Sequence, residues 1–106
     1  MITIKVRKKN GSYEEFISKG HAGYAEAGQD IVCAAVSALI ITTVNSLEKF
    51  TDDKFDVQEK DGFVSIYFRN NLSERGMLLM DSLLLGLTEI AGSYNNRYLT
   101  VKVKEV

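Results

Sequence analysis

Apolar and polar residues alternate strictly from Ile2 to Arg7, I-T-I-K-V-R, which predicts a strand with Ile2, Ile4 and Val6 turned toward a core. Asn10-Gly11 follows, a pair suited to the positive φ angles of a tight hairpin turn, and residues 12–18 resume the extended pattern. The device recurs where residues 54–59 and 63–69 flank Asp61-Gly62, with Val64, Ile66 and Phe68 on one face. A final run, Y-L-T-V-K-V-K-E-V, alternates through Leu99, Val101 and Val103. Between these segments the period lengthens to that of helices. One runs from about Asp30, a good N-cap, to Phe50; the other runs from near Ser73, also a good cap, to about Gly92, a glycine suited to a C-terminal stop. Cleanly alternating strands have one wet face, unlike the continuous apolar runs of a doubly wound parallel sheet. The compact solution is a single α+β domain over residues 1–106, in the order β-β-α-β-β-α-β. It has two layers, a largely antiparallel five-stranded sheet and two helices on one of its faces.

Both helices carry more apolar surface than one sheet face needs. On the first, Val32, Val36, Ile40, Val44 and Leu47 form a broad stripe, and the opposite side carries Ala34, Ala35 and Ala38, small enough for another backbone to approach. On the second, Asp81, Ser82, Thr88 and Glu89 mark a polar face, with Leu78 and Leu85 in the middle of it. That spacing predicts a buried contact with another subunit, against the alternative of two ordinary exposed leucines.

Composition narrows the function classes. A chain of 106 residues supports one core, and its 45% hydrophobic and 25% charged residues are those of a soluble globular protein. A net charge of −1 argues against coating nucleic acid or an anionic membrane, so no direct nucleic-acid binding is expected. The basic group Lys5, Arg7, Lys8 and Lys9 fits the wet side of the first strand. One cysteine cannot form an internal disulfide, and nothing points to an oxidising compartment. With one His and one Cys, a zinc site would need borrowed carboxylates or a second subunit, so neither metal nor cofactor is expected. The N-terminus has no apolar run of signal-peptide length, and I-V-C-A-A-V-S-A-L-I-I-T-T-V is broken by Ser and Thr short of the ~20 residues that span a bilayer. The expected setting is the cytoplasm, with no membrane partner.

The chemistry is concentrated in residues 20–37, G-H-A-G-Y-A-E-A-G-Q-D-I-V-C-A-A-V-S, which hold the only histidine and the only cysteine. If Asp30 caps the first helix, Cys33 falls at about the third helical position, where unpaired N–H groups and the helix dipole favour an anion such as a thiolate. The bland alternative is a small buried hydrophobe. His21 ends the second predicted strand, where a rigid scaffold can present a proton carrier, or simply a polar residue bonded to a nearby loop. Gly23 and Gly28 bracket Tyr24, Ala25, Glu26 and Ala27, a segment able to hinge and close over a bound chain, or a plain crossover loop. Twelve residues of separation allow a strand end and a helix start to meet, as a Cys–His pair requires.

Gly20-His21-Ala22, the glycine-bearing loop, and Asp30-Ile31-Val32-Cys33-Ala34-Ala35-Val36-Ser37 together resemble the ribosomal-processing cysteine proteases, small bacterial proteins typical of the Firmicutes. The likeness covers essentially the whole chain, since length and element order also fit. It implies that Cys33 and His21 are a catalytic pair, nucleophile and general base and acid. It further implies a homodimer whose substrate is a large-subunit ribosomal protein, number twenty-seven, made with a short N-terminal extension that the protease removes for ribosome maturation.

On that footing the oxyanion is expected near the N–H groups of Cys33 and Ala34. Asp30 either caps the helix or orients His21, and capping suits its position better. Ser37, one turn after Cys33, stands close enough to hydrogen-bond near the site without a catalytic step of its own. The loop with Gly23, Tyr24 and Gly28 would clamp an extended substrate. The competing reading is a non-catalytic ribosome-associated assembly or binding module, with the strand of Lys5 and Arg7 as its contact surface. A redox thiol protein is disfavoured because the chain has no second cysteine to resolve an oxidised one.

Overall fold

The computed structural model describes residues 1–26 and 29–106. Strands β1 (Ile2–Lys9) and β2 (Ser12–Lys19) form the first hairpin, turning at Asn10 (φ 52°) and Gly11 (φ 78°), the two positive φ angles that a two-residue turn matched to strand twist requires. Helix α1 (Ile31–Phe50) follows. A second hairpin, β3 (Phe55–Lys60) and β4 (Phe63–Phe68), leads into α2 (Glu74–Ser93), and β5 (Leu99–Glu105) completes the sheet.

The strands lie in the order β3-β4-β2-β1-β5. Three pairings are antiparallel and one, β1 with β5, is parallel, so the sheet is mixed, with the two hairpins side by side. Ile2, Ile4, Val6, Phe16, Ile66, Phe68 and Leu99 point from the sheet into one core, where they meet Val32, Val36, Ile40 and Leu47 of α1 and Met80, Leu83, Leu87 and Ala91 of α2. Burying a side chain such as Phe16, Ile4 or Leu47 fully contributes about 1.5–3 kcal/mol. Each helix is long and apolar enough by length and composition to cross a bilayer. Here that apolarity is used on one side to cover the sheet.

Both helix starts are those expected. Asp30 accepts the Cys33 amide and Ser73 the Gly76 amide, each satisfying a first-turn donor. The end of α2 differs. The helix passes through Gly92 to Ser93, and the chain turns instead at Asn95 and Asn96 (φ 54° and 59°), with the Asn96 amide reaching back to the Ala91 carbonyl at 2.9 Å. Asparagine tolerates the left-handed region nearly as glycine does, because its short polar side chain bonds locally. Along α1, Val44 is only half-buried; Thr43 takes the buried place, its hydroxyl donating to the Leu39 carbonyl at 2.7 Å. Val103 is half exposed, beyond the cover of the helices. Ala34, Ala35, Ala38, Leu78 and Leu85 all lie on the surface, the two leucines at 66% and 64% exposure.

Candidate active site

After Lys19 the chain leaves β2 through Gly20, whose amide donates to the Gly62 carbonyl at 2.8 Å. Gly20 has φ +99°, and any side chain there would strike the Met1 carbonyl. The bond ties the end of the first hairpin to the turn of the second. It also sets His21 beside that turn: the imidazole lies against Gly62, where an added Cβ would come within 2.7 Å of Nε2, and Nε2 stands 3.9 Å from the Asp61 carboxylate. The His21 side chain is 65% exposed.

The next residue faces inward. Ala22 is buried, and its amide donates to Cys33 Sγ at 3.2 Å. Cys33 is half-buried at the third position of α1. Asp30 joins the helix start to the loop: Oδ1 accepts the Cys33 amide at 2.9 Å and Oδ2 the Tyr24 amide at 3.1 Å. Those bonds, the one from Cys33 foremost, hold the Asp30 carboxyl below the ordinary carboxylate range, against a smaller opposing effect of lost solvation.

His21, Cys33 and Ser37 line one open groove of about 590 Å³ between α1 and the β3–β4 hairpin, together with Ile40, Gly62 and Val64. The strand end and helix start thus bring the expected pair into a common cleft. Among the described residues no hydrogen bond joins the imidazole to the thiol, and the sulfur's partner is the Ala22 amide. Ser37 is exposed on the same wall and bonds to neither. Both oxygens of Asp30 are engaged by backbone amides, so it acts as the cap.

The oxyanion position expected at Cys33 and Ala34 needs correction. The Cys33 amide is taken by the Asp30 side chain, and the Ala34 amide makes the first helical bond, to the Asp30 carbonyl at 3.1 Å. A capping aspartate and the regular helix ladder together consume the donors that a helix start would otherwise offer.

In the loop, Gly23 has φ +73° and, among the described residues, nothing within 4 Å of where a side chain would start, Tyr24 packs on two other tyrosines away from the groove, and Gly28 lies outside the described residues. Two groups of residues beside the site are not legible in the sequence alone. Asp61-Gly62 is visible as a turn, but only the pairing of β2 with β4, which sets Lys19 opposite Phe63, places that turn under His21. Tyr94 and Tyr98 carried no local signal at all. Among the described residues no group of three His, Cys, Asp or Glu side chains is gathered to hold a metal ion.

Residues 1–99 match the sequence pattern of the family described as cysteine protease Prp. The ribosomal processing cysteine protease Prp of Staphylococcus aureus is 30% identical over 98 residues, covering 90% of this chain and 92% of its own. The Bacillus subtilis protein of the same name is 30% identical over 103 residues, 91% and 92% of the two chains. The crystal structure of S. aureus Prp with a covalently linked product peptide superposes with a TM-score of 0.93 at 29% identity, over 98% of this chain and 100% of that one. SMU.848 from Streptococcus mutans gives 0.86 at 34% identity, over 100% and 99%. Sequence and fold match over nearly the full length, and the chain therefore belongs to the Prp family of ribosomal processing cysteine proteases.

Proposed function

We propose that this protein is a cytoplasmic, homodimeric endopeptidase that removes the short N-terminal extension of large-subunit ribosomal protein twenty-seven, with Cys33 as nucleophile and His21 as proton carrier. The observation that carries the reading is the opening of both side chains onto one groove, from opposite ends of a single twelve-residue connection. It is supported by the S. aureus relative, whose structures hold a substrate peptide in one case and a covalently linked product peptide in the other.

In the proposed reaction His21 takes the thiol proton and the Cys33 sulfur bonds to the scissile carbonyl carbon. The oxyanion forms at the positive end of α1, close to the Ala22 amide that already points at the sulfur. Collapse breaks the C–N bond as His21 passes its proton to the leaving amine, leaving a thioester. Water then gives a proton to His21, attacks the thioester carbon and releases the new carboxylate, and the proton returns to sulfur. The imidazole must swing from Gly62 toward the thiol, which its exposure permits; catalytic hydrogen bonds commonly tighten only when substrate is bound.

The test is to incubate the protein with the extended ribosomal protein and weigh the products. Two fragments whose masses sum to the substrate plus one water are expected. An unchanged substrate mass after prolonged incubation overturns the reading.

A further inference from the structure

Three tyrosine rings, from distant parts of the chain, meet edge to face beside the loop. Tyr24 lies 5.7 Å from Tyr94 and 5.2 Å from Tyr98, and Tyr94 lies 5.5 Å from Tyr98, centroid to centroid. Every pair is T-shaped, the arrangement favoured by the ring quadrupoles. The triangle is built by the turn after α2: left-handed Asn95 and Asn96 fold the chain so that Tyr94 and Tyr98 stand together, and the Ile2 amide fixes the Tyr98 carbonyl at 2.9 Å. Tyr94 and Tyr98 are half-buried and anchored to the body of the fold, whereas Tyr24 belongs to the loop and is 41% exposed. Among the described residues none of the three hydroxyls makes a hydrogen bond within the protein, so the rings themselves hold the cluster together.

Tyr24 connects this cluster to the nucleophile. Its amide donates to Asp30, whose other oxygen holds the Cys33 amide, and two residues earlier the Ala22 amide rests on the Cys33 sulfur. We propose that Tyr94 and Tyr98 are positioning residues for cleavage, docking Tyr24 so that the segment from Ala22 to Glu26 stays against the start of α1. The kinetic part of this inference rests on the proposed protease reading; the docking part does not. Without the rings, that segment is held at the helix start by the part-buried bond of Ala22 to Cys33 and by the bond of Tyr24 to Asp30, which is exposed to water.

The test compares Tyr94→Leu with Tyr94→Phe. Replacing Tyr94 by leucine removes one of the two ring pairs that hold Tyr24, and with it Tyr98's own ring partner on the body, and should lower the docked population several-fold. In the substrate-free protein, hydrogen exchange at the Ala22 and Tyr24 amides should quicken by about that factor, while core amides of β1 and β4 keep their protection. With the extended ribosomal protein, KM should rise several-fold and kcat change less. Phenylalanine should restore both. Unchanged loop exchange and unchanged KM in Tyr94→Leu overturn the proposal, as does a phenylalanine variant as impaired as the leucine one. Should Tyr94→Leu fail to fold, Tyr24→Leu, at an exposed position, removes both ring pairs that hold the loop and must quicken the same amides at least several-fold. A parent protein that does not cleave the substrate rejects the protease reading, and the exchange measurement still decides the docking.

Discussion

Ala22 donates its amide to the sulfur of Cys33 at 3.2 Å, so the residue next to His21 in the chain is in contact with the only thiol. Ala22 is itself buried. His21 is therefore tethered one residue away from the thiol, and in the proposed reaction its exposed imidazole has to leave Gly62 for the sulfur.

Cys33→Ala should abolish processing and leave the fold intact, since it removes one sulfur from a half-buried helix position. The variant should still bind the extended substrate. His21→Ala should also stop turnover, because neither the thiol proton nor the leaving amine is served. Circular dichroism and product mass together check both; a well-folded alanine variant that processes near the parent rate removes that residue from the mechanism.

Gly62→Ala should damage cleavage out of proportion to stability. A left-handed φ of +68° costs an alanine about 1 kcal/mol, roughly 5 °C in a domain of this size. Its methyl would also meet the His21 imidazole at 2.7 Å and push that exposed ring aside. Misplacing a catalytic group by an ångström slows a reaction on the order of tenfold or more. Cleavage within twofold of the parent would mean that the resting place of the ring against Gly62 does not govern its swing toward the thiol.

Asp30 predicts an acid-sensitive helix start. Its carboxyl is held below the ordinary value near 3.9, so the stabilisation is complete above about pH 4 and is lost as pH falls through the lower folded-state value. Asn caps helices without titrating. Asp30→Asn should therefore lose less melting temperature than the parent between pH 5 and pH 2; parallel curves would show that the cap is not the acid-sensitive element.

Tyr13 predicts the opposite limb. It is buried, and its hydroxyl donates to Asp81 on α2 at 2.5 Å. Burial first, and then that bond, raise its ionisation above the usual value near 10. The stability it contributes is present below pH 10 and lost as pH rises through the folded-state value. Tyr13→Phe should cost about 1 kcal/mol at neutral pH and melt with a shallower decline above pH 10. An equally steep alkaline decline in the variant would assign it to other groups.

Leu78 and Leu85, each about two-thirds exposed on α2, should be covered in a dimer. Light scattering at micromolar concentration should give twice the chain mass, and Leu85→Glu should halve it. A parent monomer would leave the pair as ordinary surface.

The parts legible in the sequence are those set by neighbours along the chain. Asp30 announces a cap because its side chain needs only the amide three residues on, and Asn10-Gly11 announces a turn because its backbone angles are local. What stayed hidden depends on segments meeting. No local pattern reveals that β5 runs parallel to β1, that Gly62 lies under His21, or that Tyr94 and Tyr98 reach Tyr24. The oxyanion position fails at the same boundary: Asp30 marks the helix start, and its side chain takes the Cys33 amide while the helix ladder takes that of Ala34.

The parallel seam between β1 and β5 also governs the order of assembly. Thr3 lies opposite Thr100 and Val6 opposite Val103, so the first of the five strands to be made waits for one made nearly a hundred residues later before its second edge is closed. During synthesis both hairpins and α1 can form from contacts close in sequence, yet β1 stays a bare rim, able to pair with any passing strand, until residues 99–105 emerge. Completion of the sheet is thus a late, long-range event on the growing chain.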